Sequence, residues 1–316
     1  MRITLLDKAS LGPDTPISYL DALGEVEVYD SSTPEQVCER VCESNVIVIN
    51  KIKINEAVLE KARNLKLICV FATGYDNIDL VAARKYNVAV CNVPGYSSQS
   101  VALQTVAMVT SLITHLTEYR KYVCSGQYTN SGVPNHLTPV FHELTGKKWG
   151  VIGYGGIGKT VANVAKALGA DVLVNKRTPV DDALCVDLET LAAECDVISV
   201  HCPLTDQTRG MINKQLISKM KKSVILVNEA RGAVLNERDV AEAVLNGDIG
   251  GFGCDVYSVE PFDADHPYNL IKDLDNVILT PHSAWGAFES RARCMKIIVD
   301  NINSFNEGKT LNRVDI

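Results

Sequence analysis

The stretch Lys148-Trp-Gly-Val-Ile-Gly153-Tyr154-Gly155-Gly156-Ile157-Gly158-Lys159-Thr160 decides how the rest of the chain is read. A short apolar run enters a glycine cluster, and apolar residues then recur at helical spacing through Leu168. That is the pattern of a strand, a tight turn and a helix. Gly153 permits the turn, Gly155 removes a side chain so that the backbone can approach a pyrophosphate, and Gly158 lets helix and strand pack closely. Phosphates would lie against N–H groups at the helix N-terminus, where the dipole favours negative charge. Gly153-x-x-x-x-Gly158-Lys159-Thr160 also satisfies the phosphate loop of nucleoside triphosphatases. The cluster therefore predicts a phosphate site with two possible owners, a dinucleotide or a triphosphate.

Working outward, 316 residues suggest two domains, and 46% hydrophobic with 22% charged residues suits large cores in a globular protein. The 31 basic and 38 acidic residues give a net charge of −7 with no Lys/Arg block, which argues against a nucleic-acid partner. The ten cysteines show no Cys-x-x-Cys and no metal spacing, so no metal site is expected. Cys38 and Cys42, one helical turn apart, read as small packed residues. Unpaired cysteines, no signal-peptide core and no run of about 18 apolar residues predict a soluble, cytoplasmic protein without membrane contact.

The first third alternates apolar strands with helices, the strands being Ile3–Leu6, Val26–Tyr29, Val46–Ile49, Leu67–Phe71 and Val88–Cys91. Thr33, Pro34 and Gln36 mark one helix start as N-cap, first turn and capping box. After Asn92-Val-Pro-Gly-Tyr-Ser97, a single long helix is expected over 98–124, a candidate bridge between domains, followed by a loop through Val140. A second series then runs Trp149–Ile152, Val172–Asn175, Val197–His201, Val224–Asn228, Gly253–Val256 and Val277–Thr280. Asn236 caps a helix to about Asn246, and a last helix runs from about Trp285 to Glu307 before Gly308. Near-continuous apolar strands separated by helices predict an α/β chain with two doubly wound parallel sheets.

Six strands after the glycines favour the dinucleotide. The triphosphatase reading needs an Asp at the end of Val224–Val227 to help hold Mg²⁺, and the chain has Asn228-Glu229 there. An NAD site usually presents a carboxylate about 20 residues past the glycines. Here the second strand ends in Asn175-Lys176-Arg177-Thr178, whose two cations and hydroxyl suit a 2′-phosphate, so NADP is favoured over NAD.

Three later elements follow strands of the same sheet: Asn228-Glu-Ala230-Arg231-Gly232, Asp255-Val-Tyr-Ser-Val-Glu260-Pro261 and Thr280-Pro281-His282-Ser-Ala-Trp285. An Arg, a Glu and a His beyond successive strand ends can converge beside a nicotinamide. Singly they read as a surface ion-pair partner, a loop acid and a helix cap.

Ala-Arg-Gly, Val-(x)₃-Glu-Pro and Pro-His, in this order after Gly-x-Gly-x-x-Gly, resemble the D-isomer-specific 2-hydroxyacid dehydrogenases over essentially the whole chain. Phe71-Ala-Thr-Gly-Tyr-Asp-Asn-Ile-Asp79 is similar to that family's substrate-carboxylate loop. Asn50-Lys51 and His282-Ser-Ala-Trp285 look most like its glycerate dehydrogenase (hydroxypyruvate reductase) branch. The resemblance implies a flavodoxin-like substrate domain (1–97 and 286–316) and a Rossmann dinucleotide domain (98–285). It implies reversible hydride transfer between NAD(P)H and a small 2-keto acid, such as hydroxypyruvate or glyoxylate. Arg231 would grip the substrate carboxylate and polarise its carbonyl. His282 would exchange the proton, and Glu260 would orient the imidazole and favour its charged form. Backbone N–H groups near Thr73 and Gly74 would hold the carboxylate's other side, with Asn50 and Trp285 shaping the pocket. The cofactor would be held by residues 153–158, Lys176, Arg177, Thr178, Cys202, Pro203, Thr208, Ala230 and Asp255, the last facing the carboxamide. A homodimer through the dinucleotide domain is expected. The chain departs from the family's frequent bridging-helix His, having Gln104 there.

Other readings remain open at this point: a relative acting on lactate- or phenyllactate-type acids, a cofactor-sensing regulator of the same fold, or a short-chain dehydrogenase using Tyr268-x-x-x-Lys272. The last motif lies far downstream of the glycines and reads as coincidence.

Overall fold

The structure is a computed structural model that describes all 316 residues. The chain parts into two compact units, Met1–Ser97 with Trp285–Ile316, and Ser98–Ala284.

In the first unit the strands are β1 (Arg2–Leu5), β2 (Glu25–Val28), β3 (Val46–Ile49), β4 (Leu67–Val70) and β5 (Ala89–Cys91). They pair in parallel in the order β2-β1-β3-β4-β5, the flavodoxin-like order. β3 and β4 are buried along their whole length, which is why they read as continuous apolar runs rather than alternating ones. Helix Pro34–Arg40 begins with the capping box expected at Thr33 and Gln36. The last helix, Phe288–Asn306, starts three residues later than expected and stops before Gly308, whose φ is +73°. It brings Cys294, Met295, Ile298 and Ile302 into the core under β1, β3 and β4.

The second unit holds β6 (Lys148–Ile152), β7 (Asp171–Asn175), β8 (Leu184–Cys185), β9 (Val197–Val200), β10 (Ile225–Asn228), β11 (Gly251–Cys254) and β12 (Val277–Leu279). Their order is β12-β11-β10-β9-β6-β7-β8, all parallel. This is the dinucleotide-binding order with one strand added beyond β11. Six of these strands are those expected from the sequence; the seventh is β8, a two-residue edge strand too short to carry a periodic signal. Val256 lies past the end of β11, in the loop.

The helix expected over 98–124 is two helices, Ser98–Ile113 and Leu116–Cys124, bent by 63°. Thr110 and Thr114 return their hydroxyls to backbone carbonyls one turn back, a contact that competes with regular helix geometry. His115 then takes a left-handed conformation at φ +51° and ends the run. The loop that follows contains the short helix Gln127–Ser131. No single helix is long and apolar enough to cross a membrane.

Candidate active site

The glycine turn is built as its spacing requires. Gly153 sits at φ +91°, and a Cβ there would lie 2.5 Å from the Cys202 nitrogen. A Cβ on Gly158 would lie 2.0 Å from the Gly153 carbonyl oxygen, so strand and helix touch through that residue. At Gly155 a Cβ would meet nothing. Helix Gly156–Ala167 begins there without a side-chain cap, leaving its first N–H groups directed at that open space. An uncapped helix start facing an open glycine fits a pyrophosphate. Lys159 turns instead to Asp182, at 3.1 Å on the surface.

Both features of the triphosphatase reading now have a structural explanation. Asn228, where an acid would be needed, is fully buried, donates to the Arg231 carbonyl at 3.0 Å and accepts from Ala230 N at 3.1 Å. Tyr268 is fully buried in the core beside Phe252, which removes the Tyr-x-x-x-Lys reading.

Lys176, Arg177 and Thr178 follow β7 directly, with Arg177 and Thr178 exposed. After β9, the Thr208 hydroxyl donates to the Pro203 carbonyl at 2.7 Å and accepts from Thr205 N at 2.8 Å, shaping the loop that begins at Cys202.

The Arg231, Glu260 and His282 loops meet in this unit. Gly232 is pressed against the segment after β11: a Cβ on it would lie 2.0 Å from the Tyr257 carbonyl carbon. Arg231, just before it, is part-buried and donates through Nη1 to the Ala230 carbonyl at 2.9 Å. Glu260 accepts from Tyr257 N at 3.0 Å and places its oxygens 2.6 and 2.8 Å from His282 Nδ1. Both side chains are partly open to solvent. His282 sits at φ +53°, a conformation uncommon outside glycine.

What holds His282 there is Asp255. Its buried carboxylate accepts from the Thr280 hydroxyl at 2.5 Å, from Ser283 N at 2.9 Å and from Ala284 N at 2.9 Å. Asp255 was expected to face the carboxamide, and the contacts present tie it to the His282 loop. A carboxylate has about four acceptor sites, so one more donor can still be taken. Gln104 donates to the Thr280 hydroxyl at 3.1 Å, and Tyr257 donates to the Thr280 carbonyl at 2.8 Å. Glu237, partly buried, braces the same region, accepting from Ser258 N at 2.8 Å and lying 3.1 Å from His266 Nε2.

The expected substrate residues Asn50, Thr73, Gly74 and Trp285 belong to the first unit. Asn50 is buried, with its N–H on the Asp7 carboxylate at 3.1 Å and its amide donating to the Ser10 hydroxyl at 3.1 Å. Burial pushes the Asp7 carboxyl up, against backbone N–H groups of Lys51 and Asn50 that pull it down. Thr73 is exposed and donates to the Val93 carbonyl, and Gly74 is part-exposed beside it. Trp285 packs edge-on against Phe71 and Tyr96, so much of its indole serves the core.

Two residues that were not singled out from sequence stand at the ends of β10 and β9. Glu229 is 7% exposed, with both carboxylate oxygens unpartnered. His201 is only partly buried as a residue, yet both its ring nitrogens are sealed from solvent and unpartnered. The signal available was an acid inside the run Leu226-Val-Asn-Glu-Ala230, where a strand end meets an apolar loop.

Comparison with known proteins agrees with this geometry. Residues 106–284 match the family described as D-isomer specific 2-hydroxyacid dehydrogenase, NAD binding domain. The chain is 35% identical to a hydroxypyruvate reductase of Blautia hydrogenotrophica, covering 100% of both chains. It is also 35% identical to a glycerate dehydrogenase of Methylorubrum extorquens, covering 99% of both. Among solved structures, a D-lactate dehydrogenase from Aquifex aeolicus complexed with NAD and lactic acid superposes with a TM-score of 0.88 at 29% identity, over 100% of this chain and 99% of that one. The fold and site define an NAD(P)-dependent oxidoreductase. The chain belongs to the D-isomer-specific 2-hydroxyacid dehydrogenase family.

Proposed function

We propose that this enzyme reduces a small 2-keto acid, hydroxypyruvate or glyoxylate, to the D-2-hydroxy acid, with Arg231, Glu260 and His282 as its catalytic set. The carrying observation is the Glu260 carboxylate on His282 Nδ1. A carboxylate at Nδ1 keeps a proton there, so Nε2 is the nitrogen that gives a proton to the substrate oxygen or takes it back. The Arg231 guanidinium carries a permanent charge and a planar fork of donors, suited to a substrate carboxylate and to a carbonyl oxygen gaining charge. By family resemblance, Thr73, Gly74, Asn50 and Trp285 of the first unit are the further residues proposed for substrate binding.

The nicotinamide cofactor supplies the hydride. The turn 153–158 would hold its pyrophosphate, Lys176, Arg177 and Thr178 a 2′-phosphate, and Cys202, Pro203, Thr208, Ala230 and Asp255 the nicotinamide half. The cations after β7 favour NADP. The substrate domain is 1–97 with 286–316, the dinucleotide domain 98–285, and the active form a homodimer, to be checked by mass in solution. The names of the relatives, hydroxypyruvate reductase and glycerate dehydrogenase, support the choice of substrate.

Steady-state rates with glyoxylate, hydroxypyruvate, pyruvate and phenylpyruvate, each with NADPH and NADH, test the reading. Highest kcat/KM for hydroxypyruvate or glyoxylate is expected. A clear preference for pyruvate or phenylpyruvate would overturn the substrate assignment.

A further inference from the structure

The carboxyl edge of the second sheet carries a row that the catalytic set does not use. Asn228 pairs with Cys254 and with Val200, Val200 with Ile152, Ile152 with Asn175, and Cys254 with Leu279. The ladder continues one step further. Thr280 N donates to the Cys254 carbonyl, Asp255 N to Asn228, Glu229 N to Val200, His201 N to Ile152 and Gly153 N to Asn175. Thr280, Asp255, Glu229, His201 and Gly153 therefore stand side by side along one edge. Successive strand residues alternate between faces, so Glu229 shares the face of Ile225 and Val227, which pack with Met108, Val109 and Leu112 of helix Ser98–Ile113. That helix contains no charged residue.

The charged and titratable groups around Glu229 are few. Asp255 and Cys254 lie on β11 and its end, His201 and Cys202 at the end of β9, Arg231 two residues on, Glu237 further along the chain and Lys176 at the far end of the row. Burial first, and then the Asp255 charge, push the Glu229 carboxyl up to about 9. Burial pushes His201 down to about 3, so its imidazole is neutral near pH 7 and supplies no counter-charge. Glu229 is thus a neutral acid at a strand end close to the point where the strand order reverses, the place where such sheets bind their ligands.

We propose that Glu229 responds to the charge of the bound nicotinamide, remaining a neutral acid with the uncharged reduced ring and ionising beneath the cationic oxidised ring, so that binding of oxidised cofactor expels one proton. The balance is Glu229–COOH plus NAD(P)⁺ giving Glu229–COO⁻ with NAD(P)⁺ bound, and one H⁺ released to solvent. No bond other than O–H breaks, and nothing is oxidised or reduced. The proposal rests on the dinucleotide site proposed above and adds to it a group that favours the oxidised cofactor as pH rises.

Calorimetric titration of the whole protein with NADP⁺ and with NADPH, in buffers of different ionisation heat at about pH 7.5, counts the protons. About one proton released per NADP⁺ bound, and about none per NADPH, is expected for the wild type; equal counts overturn the proposal. In Glu229→Gln, neutral at every pH, the difference between the two cofactors should vanish. The Kd for NADP⁺ should fall close to tenfold per pH unit between about pH 7 and about pH 8.5 in the wild type, relative to the variant. Matching pH slopes in the two proteins overturn it. Absence of saturable binding of either cofactor to the wild type would refute the dinucleotide site itself, and the proposal with it. If Glu229→Gln does not fold, the count in His282→Gln decides: about one proton released per NADP⁺ and about none per NADPH is still expected, and equal counts overturn the proposal.

Discussion

The Glu260 carboxylate straddles His282 Nδ1, with its two oxygens at 2.6 and 2.8 Å, although the residues are held by different loops at different strand ends. Under the proposed function this pairing leaves Nε2 as the nitrogen that exchanges the proton, and both residues are then sensitive to substitution. His282→Gln and Glu260→Gln should each lower kcat/KM by about 10²–10⁴, the usual contribution of a positioned acid or base. Arg231→Ala should lower it by roughly 10–150-fold, as expected for a lost hydrogen bond to a charged group of about 1.5–3 kcal/mol. The Kd of the reduced cofactor should stay within about threefold in all three. Turnover like the wild type in His282→Gln would remove it from the mechanism.

Asp255 is a second lever on the same imidazole, acting through the backbone. Asp255→Asn replaces a carboxylate that accepts from Thr280, Ser283 and Ala284, and one amide oxygen cannot serve all three. A loss of about 1–3 kcal/mol in stability and a fall in kcat larger than any rise in KM are expected. Thermal melts and steady-state kinetics measure both. Unchanged values would show that the His282 loop keeps its left-handed turn without help.

The proposed preference for NADP makes the two cations after β7 the place to test cofactor choice. The double variant Lys176→Ala, Arg177→Ala should lower kcat/KM for NADPH by roughly 10–100-fold, through lost charge-assisted bonds to a 2′-phosphate. NADH values should move by less than about threefold. Equal losses with both cofactors would place these residues outside the ribose site.

Much of this architecture is legible in the sequence because buried parallel strands such as Val46–Ile49 and Val197–Val200 are apolar throughout. The glycine turn announces itself, because close approaches admit no other residue at Gly153 and Gly158. β8 was not legible: two residues at a sheet edge have no period. The break at His115 was missed because Thr110 and Thr114 do not look like helix breakers until their hydroxyls are seen to bond the preceding turn. Glu229 and His201 become neighbours only through the register of β9 and β10, which no local pattern encodes. The role expected of Asp255 was drawn from a resemblance, and its contacts with the His282 loop emerged only with the backbone in place.

Those two buried groups also shape stability against pH, with opposite signs. Glu229 is raised from 4.5 to about 9, so the folded state holds its proton more tightly than the unfolded chain. Its contribution to stability is fully present below about pH 4.5 and is lost as pH rises toward 9, at up to about 1.4 kcal/mol per pH unit. His201 is lowered from 6.5 to about 3, so its contribution is present above 6.5 and is lost as pH falls toward 3. Denaturant melts across pH should show Glu229→Gln gaining on the wild type from neutral to alkaline pH, and His201→Asn gaining in acid. A wild type whose stability is flat from about pH 7 to about pH 9 would contradict the first.

The helix Phe288–Asn306 completes the core of a sheet whose strands lie at the other end of the chain. Ile3, Leu5, Val48 and Cys69 leave the ribosome long before Cys294, Met295, Ile298 and Ile302 exist to cover them. Residues 98–284 are contiguous and can fold while synthesis continues. At roughly 5–20 residues per second, the first sheet waits on the order of ten to forty seconds with one apolar face unprotected. Translation pace and chaperone supply therefore bear on the yield of this protein through its first hundred residues, and loss of the carboxyl-terminal helix would extend that exposure indefinitely.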